Sequence, residues 1–285
     1  MKDTILFGDC RETLSQIDEK VRMCVTSPPY YGLRNYGDED KQIGQEDTPE
    51  EYINNLVNIF RSVRNCLSDD GTLWVNIGDS YYNYRPGKGQ ALVQQSVSKS
   101  KQDLPDKCAR RGNKLEGLKE KDLIGIPWML AFALRADGWY LRQDIIWNKP
   151  NPMPESVRDR CTKSHEYMFL LSKNQNYYFD VDVIKEPTRR KRSVWNINKK
   201  PYKGSHFAVF PPELITPCIL AGSEENDIVL DPFIGSGTTA MVARDLGRHY
   251  IGCELHEEYN DLIQQRVPDN KVVHNGLTSA FNDVE

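Results

Sequence analysis

Residues 228–255 read IVLDPFIGSGTTAMVARDLGRHYIGCEL, and no other stretch narrows the fold as far. An apolar run ends at Asp231, glycines at 235 and 237 make a turn, a small-residue helix follows, and HYIGCE is a second apolar run. Two short strands joined through a helix lie parallel, because only a long crossover returns the chain to the same end of a sheet. The rest of the chain repeats this alternation. TILFGD and VRMCVTSPPY read as strands, and PEEYINNLVNIFRSVRNCLS as a helix that closes at the Asp70-Gly71 turn. GTLWVNIGD, YLRQDIIWNKP and HEYMFLLSK read as further strands, with a helix in DLIGIPWMLAFALRADG. HFAVFPPELITPCILAG opens another helix, and HEEYNDLIQQRV is the last. The expected fold is α/β, a mostly parallel sheet with helices on both faces.

The glycine turn invites a ligand, since glycine lets a backbone bend sharply and approach closely. HYIGCEL ends its strand in Glu254, 23 residues after Asp231. That is close to the roughly 20 residues at which an acid reaches ribose hydroxyls in nucleotide-binding βαβ units. A phosphate-cradling loop of the G-x-x-x-x-G-K-[ST] type needs a lysine that is absent here. Gly235-x-Gly237-x-x-Ala240 does satisfy the loose dinucleotide pattern. S-adenosylmethionine is the third reading: it carries a positive sulfonium and no pyrophosphate, so an acid before the glycines favours it. A purely structural tight turn is the fourth.

VTSPPYYG, residues 25–32, ends a core strand on a hydroxyl, two prolines and two aromatic rings. Proline donates no backbone hydrogen bond and stiffens the carbonyls around it. The exocyclic amine of a nucleobase is a poor nucleophile because its lone pair is delocalised into the ring. Two acceptors for its N–H hydrogens, Ser27 Oγ and the Pro28 carbonyl, would draw the nitrogen towards tetrahedral geometry, with the Tyr30 ring stacked on the base. Groups aimed at that geometry favour the transition state over the ground state. A plain proline turn ending a strand is the competing reading.

The net charge of −4 gives no general attraction to nucleic acid. The positive charge is nevertheless concentrated, in residues 85–121 and in TRRKRSVWNINKKPYK, residues 188–203. Arg189, Arg190, Lys191 and Arg192, with Trp195, Asn196 and Tyr202 interleaved, combine phosphate-seeking and base-reading side chains. A solvated charged surface would look similar. Residues 83–121, rich in Lys, Gln and Ser, read as a long basic loop. With 39% apolar and 27% charged residues the composition is that of a soluble globular protein. No apolar run approaches the roughly 20 residues of a membrane span, and the start has no signal-peptide pattern. Seven scattered cysteines without a C-x-x-C pair argue against structural zinc and a disulfide framework, and for a reducing cytoplasm. Cys10, Cys24 and Cys253 read as small core residues.

TSPPY at 26–30 together with DPFIGSGTT at 231–239 resembles the amino-directed DNA methyltransferases. The catalytic motif precedes the cofactor motif with the basic segment between them, the circularly permuted β-group order of that family. LFGDC, GTLWVNIGD, DIIWNKPNPMPESVRDRCTKSHEYMFLLSK and HFAVFPPEL are similar to family segments in the same order. The resemblance covers most of the chain apart from residues 83–120 and 185–203.

It implies an S-adenosylmethionine-dependent methyltransferase fold over residues 1–285, one domain, with 83–121 as a long loop and 181–206 as an inserted target-recognition segment. It implies that Asp231, Phe233, Gly235 and Gly237 hold the methionine part of the cofactor, with Ser236, Thr238 and Thr239 as helix-start donors. Glu254 would accept from the ribose hydroxyls and Asp9 would lie near the adenine. Phe207, Pro211 and Glu213 would wall the methionine tail. Ser27, Pro28, Pro29 and Tyr30 would hold a base flipped out of double-stranded DNA, and Asn148 and Lys149 would help to place it.

Serine as the first catalytic letter favours cytosine N4 as target, with adenine N6 as the alternative. Transfer would be direct, without a covalent enzyme intermediate and without metal. C5 methylation would need a Pro-Cys pair, which is missing. A nicotinamide oxidoreductase explains the glycine loop but leaves TSPPY without a role. A noncatalytic DNA-binding protein leaves Asp231 and Glu254 without one, and a methyltransferase for RNA or protein glutamine fits Ser27 poorly. A homodimer and a cognate restriction endonuclease are open as partners.

Overall fold

A computed structural model describes residues 1–32, 42–82, 115–199 and 210–274, and the backbone of Leu277 and Thr278. In chain order the elements are β1 (Thr4–Phe7), α1 (Cys10–Thr13), β2 (Val21–Thr26), α2 (Pro49–Cys66), β3 (Leu67–Ile77), α3 (Ile126–Ala136), β4 (Tyr140–Asn148) and β5 (His165–Ser172). They continue with β6 (Val194–Asn196), α4 (Pro212–Gly222), β7 (Ile228–Asp231), α5 (Thr238–Asp245), β8 (His249–Glu254), α6 (Asn260–Arg266), β9 (Lys271–His274) and β10 (Leu277–Thr278).

All ten strands join one sheet in the order β10-β9-β1-β8-β7-β2-β3-β5-β4-β6. The run from β9 to β3 is parallel throughout. β5 is antiparallel to both β3 and β4, and β6 is parallel to β4. The late strand β7 therefore lies at the centre, between β8 and the early strand β2. That arrangement brings the two ends of the sequence together.

Alternate residues of the central strands feed two separate cores, as the period of two requires when both faces are covered. Leu6, Cys24, Leu73, Leu230 and Ile251 pack with α2 and α3 on one face. Ile5, Met23, Trp74, Val229 and Tyr250 pack with α4, α5 and α6 on the other. α2 presents Tyr52, Leu56, Ile59, Phe60 and Val63 inward at helical spacing. Its start is a complete capping box: Thr48 accepts from the Glu51 backbone at 3.2 Å and Glu51 accepts from Thr48, with Pro49 in the first turn.

One expected boundary is wrong. α2 stops at Cys66, and residues that were expected to complete the helix and its turn already belong to β3. Val21 pairs with Leu67 but Met23 pairs with Thr72, so β3 carries a bulge at 68–71. A side chain at Gly71 would come within 2.9 Å of the Ser68 carbonyl and 3.1 Å of the Arg22 carbonyl. The Asp70-Gly71 signal marks this bulge within a strand.

Of the long loop expected at 83–121, residues 83–114 lie outside the described residues. Its two ends meet: Tyr82 N donates to Asp122 O and Lys121 N to Tyr82 O, each at 2.8 Å. No helix among the described residues is long and apolar enough to cross a membrane.

Thr48→Ala removes the cap from α2 and leaves helix-start donors unpaired. We expect a loss of about 1 kcal/mol, read as a lower urea midpoint at unchanged m value.

Candidate active site

In a parallel sheet the strands present their carboxyl ends along one edge, where ligands are normally taken up. Here that edge carries SPPY after β2, Gly78-Asp79 after β3, the glycine turn after β7 and Glu254 at the end of β8. β5 runs the other way, so its beginning, His165-Glu166, lies at the same edge, as does Asn148-Lys149 after β4. The two motifs are joined directly. Thr26 Oγ1 donates to Asp231 Oδ1 at 2.5 Å, and neither residue is appreciably exposed to solvent.

Asp231 is the hub of the glycine turn. Besides Thr26 it accepts from Phe233 N at 3.0 Å and from Thr239 Oγ1 at 2.6 Å. Burial pushes its carboxyl up to about 6, against the pull of these donors. Gly235 and Gly237 take the left-handed conformation (φ +52° and +82°) that side chains disfavour. Glu254 ties the turn to β8, accepting from Gly235 N at 2.9 Å and His256 N at 3.0 Å. Burial raises it to about 7. Gly252 lets the turn lie on β8, since a side chain there would sit 2.9 Å from Ile234.

The hydroxyls expected to act as ligand donors divide. Thr239 donates to Asp231 and is spent on holding the turn, whereas Thr238 accepts from Arg266, a bond that does not use its own O–H. Ser236 Oγ is buried without a partner among the described residues. A buried unpaired hydroxyl is costly in a protein alone, and a polar ligand group here would satisfy it. The turn thus suits a polar small molecule. Asp9 follows β1, whose Phe7 pairs with Glu254, and its carboxylate caps α1 at Arg11 N (2.9 Å) while pairing with the Arg11 guanidinium. Pro211 is buried at the start of α4 and Glu213 is exposed in its first turn. Phe207 lies outside the described residues.

Within Ser27-Pro28-Pro29-Tyr30 the carbonyls are unequal. Tyr52 donates to the Pro29 carbonyl at 2.9 Å, whereas the Pro28 carbonyl has no donor among the described residues. The Tyr30 hydroxyl donates to Glu166 Oε2 at 2.8 Å, with Asn76 Oδ1 at 3.4 Å and Ser27 also bonded to it. Burial, with the Glu166 charge beside it, drives the phenol well above its ordinary value, so it stays neutral. Glu166 pairs with Lys149, whose ammonium lies 4.2 Å from the Trp147 ring centroid. Gly78 makes room, because a side chain there would meet the Tyr30 ring at 2.8 Å. Cys24, Cys10 and Cys253 are buried with thiols raised chiefly by burial, which fits the core role expected of them.

The basic segment divides differently from expectation. Trp195 is 5% exposed, within the core under α4, and its Nε1 donates to the Arg192 carbonyl at 2.7 Å. It cannot reach a base; it anchors β6. Arg189, Arg190 and Arg192 are exposed and Lys191 half-buried, leading into the start of β6, and Arg189 bonds Glu186 at 2.6 Å. Asn196, at the other end of β6, receives the Asn148 side-chain amide at 2.7 Å and so stands at the active edge. Tyr202 and the rest of 200–206 lie outside the described residues.

Thr26, Gly78, Asn76, Gly252 and Glu166 were missed. Asn76 carried a signal, a polar residue between Val75 and Ile77 in an apolar run, and Thr26 and Glu166 a weaker one, polar residues at the ends of apolar runs. The glycines did not, because the need for them comes from strands distant in sequence.

A family model described as "DNA methylase" matches residues 21–265. The chain is 52% identical over 276 residues to the type II methyltransferase M.SmaI of Serratia marcescens, covering 92% of this chain and 90% of that one. It is 50% identical over 270 residues to M.Cfr9I of Citrobacter freundii, covering 93% and 87%. Among solved structures, the cytosine-N4-specific PvuII DNA methyltransferase superposes with a TM-score of 0.67 at 18% identity, over 97% of this chain and 96% of that one. M1.HpyAVI, solved with S-adenosylmethionine, gives 0.60 at 20% identity, over 92% and 98%. Likenesses at this identity establish the fold.

Thr26→Val keeps the shape of the side chain and removes the donor to Asp231. A bond to a charged buried partner contributes about 1.5–3 kcal/mol. The loss should be full at pH 8, where Asp231 is ionised, and smaller at pH 5, below its value of about 6. Urea midpoints at the two pH values read the difference.

Proposed function

The chain belongs to the DNA methylase family, and on that premise we propose that it moves a methyl group from S-adenosylmethionine to the N4 amine of a cytosine everted from double-stranded DNA. At the coarser level it is a site-specific type II DNA methyltransferase of the N4/N6 group. The observation that carries methyl transfer between these two segments is the Thr26–Asp231 bond, which sets SPPY against the glycine turn; the choice of cytosine rests on Ser27.

Bound S-adenosylmethionine supplies an electrophilic methyl group. The side chains around the turn hold it: Ser236 has a hydroxyl to give, Glu254 takes the ribose hydroxyls, and Gly235 and Gly237 admit the ligand to the backbone. At the other half, the Pro28 carbonyl and Ser27 Oγ accept the amine hydrogens and draw the nitrogen lone pair out of the ring. Pro28 suits this role because its carbonyl is rigid and undonated, unlike that of Pro29. The Tyr30 ring stacks on the base, its plane set by Glu166. Eversion costs a few kcal/mol of stacking and pairing. Ser27, neutral and short, favours cytosine N4; adenine N6 is the alternative. Residues 1–285 are read as one methyltransferase domain in which 83–121 and 181–206 serve DNA contact, and a homodimer and a cognate endonuclease stay within this reading as partners to test.

Incubation with labelled S-adenosylmethionine and duplex DNA, followed by digestion to nucleosides, should place the label on N4-methylcytosine. Label on N6-methyladenine selects the alternative target, and unlabelled DNA overturns the reading. Ser27→Ala and Tyr30→Ala should each lower kcat by at least about 10²-fold while cofactor affinity persists.

Glu254 generates a pH dependence. Its folded value, about 7 without ligand, lies above the ordinary carboxylate range, so it is largely protonated below pH 7. Ribose hydroxyls bond best to the ionised form and lower its pKa on binding. Cofactor affinity, measured by calorimetry, should fall up to about tenfold per pH unit below pH 7. Glu254→Gln should bind weakly and lose the dependence.

A further inference from the structure

Among the described residues the charges around Glu166 do not balance. Three ammonium groups converge there. Lys149 pairs with Glu166 directly. Lys163 Nζ donates to the Asp79 carbonyl at 3.0 Å and feels Glu166 and Lys149. Lys199 faces the same two residues, its backbone clamped by Asn151 through bonds of 2.8 and 3.0 Å. Opposing them are Glu166 and Asp79. The Asp79 carboxylate is already occupied by the backbone N–H groups of Ser80, Gly125 and Ile126. Glu155, also near Lys163, is taken up by Arg160. Lys199 Nζ has no bonding partner among the described residues. Among the described residues one positive charge is left over beside Glu166, the carboxylate that holds the Tyr30 hydroxyl.

Half-burying an uncompensated ammonium is unfavourable unless an anion completes it. Burial accordingly lowers both Lys163 and Lys199 from their ordinary values. Lysine is a compact point charge suited to phosphate. The Tyr30 hydroxyl bonds Glu166, so a base stacked on that ring would bring its nucleotide to the edge where Glu166 and its lysines lie. We propose that Lys163 and Lys199 bind a phosphodiester of the target strand next to the everted nucleotide, with Lys149 and Glu166 as the fixed floor of the site. This rests on the DNA-methylating reading above. It also divides the basic segment: its Asn196–Lys199 end serves the target strand at the active edge, separately from the Arg189–Arg192 end.

Salt dependence of binding tests it, because each phosphate contact releases counterions. The probe is a duplex that the wild-type enzyme methylates, titrated between 50 and 200 mM salt. Lys163→Gln and Lys199→Gln should each lower the log–log slope by about 1. The wild-type advantage in affinity should then shrink about fourfold across that range for each variant. Lys163→Arg and Lys199→Arg should restore the slope. Cofactor affinity, unchanged in each variant, reports an intact fold; if Lys163→Gln fails that control, Lys199→Gln carries the test. An affinity loss with the wild-type slope would assign the lysines a structural role and overturn the proposal. A wild-type enzyme that methylates no duplex would instead overturn the functional reading.

Discussion

A hydroxyl 2.5 Å from a buried carboxylate ties together residues 205 positions apart in the chain. Thr26 ends β2 and Asp231 ends β7, neighbouring strands whose parallel pairing at Met23–Val229 and Cys24–Leu230 points both ends the same way. Parallel pairing alone would leave the two following loops free to diverge. The bond stops that at the first residue, and Asp231 carries the constraint onward to Phe233 and Thr239. Attack on a methyl group requires near-linear alignment within a few tenths of an ångström, so a rigid joint between the halves matters more than the shape of either.

The acids at this edge work chiefly on the protein. Asp231 organises the turn, Glu254 fastens it to β8, Asp9 caps α1 and Asp79 caps α3. Each accepts backbone N–H groups, which lets a carboxyl be buried in a sheet at tolerable cost. For Asp231 and Glu254 the balance still favours burial over charge, and both are raised into the neutral range. Their protonation therefore responds to what occupies the site.

The target side is built the same way around one carboxylate on a strand running against its neighbours. Because β5 is antiparallel to β3, the start of β5 faces the end of β2, and Glu166 reaches the Tyr30 hydroxyl from across the sheet. Gly78 and Gly44 keep both approaches open, each at a place where an added carbon would lie within 3 Å of Tyr30. Lys149 on Glu166 and Lys163 on the Asp79 carbonyl thereby bring positive charge to this edge in a chain of net charge −4.

The α/β alternation, the parallel crossover at 228–255, the glycine turn and the SPPY strand end were all legible in the sequence, because period-two apolarity, glycine spacing and proline act within a few residues. The bulge at Gly71 read as a turn, since the same dipeptide serves both and only the partner strand β2 distinguishes them. Trp195 read as one of the target-reading residues among arginines, because a sequence does not say which face of a three-residue strand is covered by a helix. What the tertiary structure alone decided was which polar groups are already spent. Tyr52 on Pro29, Thr26 on Asp231 and Glu166 on Tyr30 are pairings between distant segments. Hydrogen-bond capacity is a property of three-dimensional neighbours, so the groups left for a ligand emerge only when those neighbours are known.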